Sequence, residues 1–177
     1  MNIVPEEGPF ATKPVDDIDA AYWDAVEEAT EQLHEESYQE ALVSLRDVIK
    51  TNPQNPYAFY FLGVALFEVG ELEAAKGAYE ACLRVAPNYL GAKIALSHVC
   101  RSLGDARGAV QRGMAALTQA PDDGDALYAV GLAYNARGDR AAARKYLSAF
   151  LDQRPEFETA TEVRALIESF DAGAPDA

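Results

Sequence analysis

The chain has 177 residues, 49% of them hydrophobic and 25% charged, with two cysteines and a formal net charge of −14. That is enough chain to bury a sizeable core in one domain, at an ordinary soluble composition, and no apolar run of about 18 residues is present to span a membrane. The excess of acid repels phosphate backbones, which disfavours nucleic acid as a partner.

Residues 1–15 contain Pro5, Pro9 and Pro14 without a helical pattern and are expected to form a flexible arm. The N-terminus lacks a basic segment followed by an apolar one, so no secretory signal is read and a cytoplasmic location is expected. Asp16 and Asp17 stand as caps before the first helix. From there a period governs the chain: Pro53, Pro87, Pro121 and Pro155 are each 34 residues apart. Taken as position 32 of a repeat, they divide the sequence into 22–55, 56–89, 90–123 and 124–157. Position 20 is then Ala41, Ala75, Ala109 and Ala143, and position 8 is Ala29, Gly63, Ser97 and Gly131. Position 15 is Glu36, Gly70, Gly104 and Gly138, followed by Ser37, Glu71, Asp105 and Asp139.

Each column has a physical reason. Small residues at positions 8 and 20 let two helices approach where a larger side chain overpacks the contact. Glycine at position 15 takes the left-handed conformation that ends the first helix, and the acidic or hydroxyl residue after it caps the second. Proline at position 32 stops that second helix. The third unit departs at Lys93 and at Gly113 (position 24), so a thinner core contact is expected there. The first unit departs most, carrying its apolar stripe on Tyr22, Val26, Ala29 and Leu33. After Pro155, residues 156–170 read as one more amphipathic helix, with Phe157, Val163, Leu166, Ile167 and Phe170 apolar, and 171–177 as a disordered tail.

A 34-residue helix–turn–helix unit with these columns resembles the tetratricopeptide repeat family over about residues 20–157. Phe59, Leu62, Gly63, Leu66, Gly70, Ala75, Tyr79, Cys82 and Pro87 of the second unit match its signature best. The resemblance implies an all-α fold, a right-handed superhelical solenoid of four repeats over residues 16–170 closed by a C-terminal capping helix. It also implies a concave groove lined by positions 2, 5, 9 and 12 of each repeat. Here those positions give Trp23 and Val26; Tyr57, Tyr60, Val64 and Phe67; Ile94, His98 and Arg101; and Tyr128, Leu132 and Asn135. On that reading Trp23, Tyr57, Tyr60, Phe67, Ile94 and Tyr128 are exposed apolar anchors, and His98, Arg101 and Asn135 orient the ligand.

The family's clamp for a chaperone's C-terminal carboxylate needs Lys, Asn, Asn, Lys and Arg at set groove positions. Those positions hold Val26, Thr30, Phe61, Gly91 and Ala95 in one register and Tyr60, Val64, Ala95, Asp125 and Ala129 in the next, so that specialisation is disfavoured. Acid is concentrated at the ends: residues 1–55 have 13 acids and 3 bases, whereas 56–121 have 5 and 6. His34 and His98 are the only histidines, and with Cys82 and Cys100 they give neither a catalytic nor a zinc spacing. The two cysteines fall in core columns and read as reduced, buried thiols. The expectation is a non-catalytic protein-interaction module that needs no cofactor and binds a peptide or helix of a partner protein. A secretion-type chaperone holding apolar client segments, or a scaffold self-assembling through its end helices, is the alternative.

Overall fold

The computed structural model describes residues 17–172, and the expected arm and most of the expected tail lie outside them. Ten helices follow in order: α1 Asp17–Asp24, α2 Glu27–His34, α3 Tyr38–Thr51, α4 Pro56–Glu68, α5 Leu72–Val85, α6 Leu90–Ser102, α7 Ala106–Gln119, α8 Gly124–Ala136, α9 Arg140–Asp152 and α10 Phe157–Ala172. The protein is all-α, and none of the described helices is long and apolar enough to cross a membrane. Helices pair in chain order as α2·α3, α4·α5, α6·α7 and α8·α9, and neighbouring pairs stack. The first helices of the last two pairs, α6 and α8, lie side by side. Helix α10 closes the far end against α9.

The turn within each pair follows one chemical rule. Gly70, Gly104 and Gly138 adopt φ of +82°, +80° and +86°, the left-handed region that glycine enters without steric cost. In the first pair Glu36 takes the same turn at φ 58° with a side chain attached, a conformation that costs a non-glycine residue about 1 kcal/mol. Asp105 and Asp139 then cap α7 and α9, accepting from the Gly108 amide at 2.8 Å and the Ala142 amide at 3.0 Å. Ser37 and Glu71, expected to cap α3 and α5, make no side-chain capping bond. Two caps that the columns did not indicate sit at the first helices instead. Asp123 accepts from the Ala126 amide at 2.8 Å, and Asn55 from the Tyr57 and Ala58 amides at 3.0 and 3.2 Å.

The first unit differs from the expectation of one helix after Asp16 and Asp17 carrying the stripe Tyr22, Val26, Ala29 and Leu33: Asp17 opens α1, and the stripe is divided between α1 and α2. The chain turns at Ala25 and Val26, which separates α1 from α2, and α1 packs on α4. Three contacts hold it there. The Asn55 side-chain amide donates to the Tyr22 carbonyl at 2.8 Å, the Tyr57 hydroxyl donates to Asp19 at 2.7 Å, and Trp23 meets Tyr57 edge-on at 5.1 Å. Asn55 is fully buried, and its side chain both donates and accepts within this joint, as a buried amide must.

Between the paired helices the small-residue columns do what their size allows. Ala41, Ala75, Ala109 and Ala143 are all fully buried. A Cβ added at Gly63 meets the Tyr79 ring at 2.5 Å, and one added at Gly131 meets Leu147 at 2.6 Å. Position 8 therefore yields space to position 24 across the helix pair. In the third unit the sizes reverse. Gly113 is small, and Ser97 fills toward it while its hydroxyl donates to the Ala109 carbonyl at 2.8 Å. A Cβ at Gly113 meets Val130 at 2.9 Å and Ser97 Oγ at 3.0 Å. The contact expected to be thin is filled from the opposite helix and from the next repeat.

Candidate functional site

The twelve side chains read as groove-lining fall into two groups. Val26, Tyr57, Tyr60 and Ile94 are core residues with 0 to 3% of their surface exposed. The expectation that Tyr57, Tyr60 and Ile94 stand exposed as anchors is thus corrected. Long aromatic side chains on α4 fold back between helices rather than outward: Tyr60 packs on Tyr79 and Tyr89 at 5.8 and 5.1 Å, and Tyr57 on Tyr89 at 5.9 Å. Trp23 is half-buried between Tyr57 and Phe61, so it serves the docking of α1. Val64, Phe67, His98, Arg101, Tyr128, Leu132 and Asn135 are half-buried and keep part of their surface on the outside of α4, α6 and α8.

Charge on these helices is sparse and unusual. Asp125, at the start of α8, is pushed up to about 6 by burial and by the neighbouring Asp123 carboxylate. His98 is driven down to about 4 by burial and by the Arg101 charge, so its imidazole is neutral at pH 7. Its ring lies 6.2 Å from that of Tyr128, which packs in turn on Phe150 at 4.9 Å. Burial also pushes the Cys82 thiol up to about 12 and raises that of Cys100. Both thiols are free and buried, which removes the thiolate that reactivity needs. His34 is exposed at the end of α2, and among the described residues no three His, Cys, Asp or Glu side chains gather as a metal site.

The two perturbed groups oppose one another in acid. Folded Asp125 takes its proton near pH 6 and unfolded Asp near 3.8, so this group gains the fold stability as pH falls through that window. Unfolded His takes its proton near 6.5 and folded His98 only near 4, so this group loses stability over nearly the same window. Denaturation curves of Asp125→Asn and His98→Gln, each compared with wild type at about pH 7 and about pH 4.5, are expected to diverge. The advantage of Asp125→Asn shrinks on acidification, and that of His98→Gln grows. Differences that change in the same direction would refute the assigned protonation states.

Two depressions lie off this face. One of about 440 Å³ is formed by Ala25, Glu28 and Ala29 of the first unit with Val43, Asp47 and Val48 of α3. Another of about 340 Å³ runs from Leu42 and Arg46 of α3 to Leu66, Val69 and Ala74. Both are open and lined by polar groups at least as much as by apolar ones.

Two family models, both described as tetratricopeptide repeat, match residues 32–95 and 125–156. None of the curated proteins matches the chain. Among solved structures, that of TTC0263, a thermophilic TPR protein in Thermus thermophilus, is 22% identical with a TM-score of 0.70. The alignment covers 86% of this chain and 83% of that one. YrrB, described as a TPR protein with an unusual peptide-binding site, is 22% identical at a TM-score of 0.68, covering 82% and 73%. MamA from Desulfovibrio magneticus RS-1 (its residues from 41 onward) is 20% identical at 0.66, covering 91% and 99%. At these identities the likeness concerns the fold.

Proposed function

The chain belongs to the tetratricopeptide repeat family, and on that premise we propose that it is a protein-interaction module whose α4–α6–α8 face holds an apolar segment of a partner protein. The observation that carries this reading is the set of partly exposed apolar side chains Val64, Phe67, Tyr128 and Leu132, at groove positions 5, 9 and 12 of the first helices α4 and α8. Aromatic and aliphatic side chains held by a rigid helical array lose little freedom on binding, which favours recognition. The neutral His98 and the amide of Asn135 supply hydrogen bonds without a desolvation cost for charge. Binding rather than catalysis fits the dispersal of the two histidines over α2 and α6. A peptide or a helix laid in a groove is the mode such a surface accommodates.

Selection from a displayed library of random peptides tests this. Peptides retained by the wild-type protein are expected to carry aromatic or aliphatic anchors. Phe67→Glu/Leu132→Glu should weaken them by about a hundredfold, as the loss of two hot spots implies. Val43→Glu, on the exposed side of α3, should leave them unchanged. Equal retention by the groove variant, or its loss only with Val43→Glu, would move the site off this face.

A further inference from the structure

Arg101 differs from the other cations of the described residues in carrying a buried side-chain nitrogen with no hydrogen-bond partner. Arg112, Arg137, Arg144 and Lys50 are ion-paired with Glu80, Asp139, Asp171 and Asp47 at 3.3 Å or less. Arg101 belongs to none of these pairs, although the chain carries 29 acids to 15 bases. It is half-buried on α6, and its Nε is fully buried without a hydrogen-bond partner. A buried guanidinium N–H left unpaired is costly, and few such groups persist in folded proteins without a reason. The nearest carboxylate in sequence, Asp105, is engaged in capping α7.

Its surroundings leave room for one kind of partner. The groove positions of α4 and α6 contain no acid: they are Tyr57, Tyr60, Val64 and Phe67, then Gly91, Ile94, His98 and Arg101. The acid of the neighbouring helix, Asp125, stands ten positions earlier in the repeat register, about 15 Å away along the helix direction. At the register position of Arg101 itself, α8 offers Asn135, whose amide is a further donor. A guanidinium presents a planar fork of donors that matches a carboxylate.

Resting on the groove reading above, we infer that Arg101 receives a carboxylate side chain, Asp or Glu, of the bound partner segment, with Asn135 as the adjoining donor. A side chain rather than a chain terminus is specified because Arg101 lies on the middle of the three groove helices. Phe67 and Asn135 hold the same register position on either side, so the segment continues past it in both directions. The partner is therefore an apolar segment carrying one acid at its centre. This runs against what the overall acidity suggests, a basic partner.

The probes are end-blocked, fluorescein-labelled peptides with leucine anchors and one central Glu, together with their Gln and Lys counterparts. A fourth is the Gln peptide with a free C-terminal carboxylate. Fluorescence polarisation on the wild-type protein is expected to rank Glu about tenfold tighter than Gln, with Lys weakest. Arg101→Gln should abolish the preference and Arg101→Lys should reduce it. Arg137→Gln, an ion-paired residue near the surface, should leave it intact. Melting curves of the four proteins verify that each is folded. Equal binding of Glu and Gln peptides, or a preference unchanged by Arg101→Gln, overturns the inference while leaving the groove reading standing. Tighter binding of the free-carboxylate peptide than of the Glu peptide overturns the assignment to a side chain. Failure of all four peptides to bind overturns both readings.

Discussion

Tyr60→Ala is expected to lower the unfolding free energy by about 3–5 kcal/mol, the cost of emptying a buried aromatic site. The ring is 3% exposed and touches three others, Phe61, Tyr79 and Tyr89, with centroids 5.1 to 5.8 Å away. It joins the helix pair α4·α5 to Tyr89 at the N-cap of α6, so its loss opens a contact within the pair and one at the entry to the next repeat. Phe67→Ala, seven residues along the same helix and half-buried, should cost only about 1 kcal/mol. Urea denaturation of the two variants checks this, the midpoint falling far more for Tyr60→Ala at a similar slope. A loss under about 1 kcal/mol for Tyr60→Ala would return that ring to the groove surface.

The second large effect concerns the reversed pair Ser97 and Gly113. Gly113→Leu is expected to cost about 3 kcal/mol, because its Cβ already meets Val130 and Ser97 Oγ within 3.0 Å. Ser97→Gly alone loses the bond to the Ala109 carbonyl and gains a helix glycine, about 2 kcal/mol together. The double variant recreates the Gly131–Leu147 pairing of the following unit. It should be more stable than the sum of the single losses by at least about 1 kcal/mol. The double-mutant cycle from chemical denaturation measures that coupling. Strict additivity would show that the two positions do not exchange volume and that the reversal in the third unit is incidental.

Much of this architecture was legible in the sequence because its period acts through the backbone. The prolines stop α3, α5 and α7 within two residues of their ends, and three of four turns use the glycine that a left-handed φ requires. The alanine column is buried throughout. The places where the sequence misled are those where side-chain direction, not position, decides. Positions 2 and 5 of a first helix border both groove and core, and nothing in the spacing tells whether a tyrosine there leans inward. In α4 it does, because Tyr79 and Tyr89 offer two aromatic partners. The turn at Ala25 and Val26 carries no glycine or proline to announce it. It is set by tertiary contacts, the Asn55 and Tyr57 bonds to α1, and those lie more than thirty residues away in sequence. The Ser97–Gly113 exchange was visible as two odd letters, but only their contact shows that one compensates for the other.

The most direct test of the central claim is amide hydrogen exchange on the wild-type protein, with and without a peptide selected as above. Protection is expected to rise over α4, α6 and α8, strongest near Phe67, Arg101 and Leu132, with α5, α7 and α9 unchanged. Protection confined to those second helices, or to the depression beside Val43, would contradict the assignment of binding to the α4–α6–α8 face.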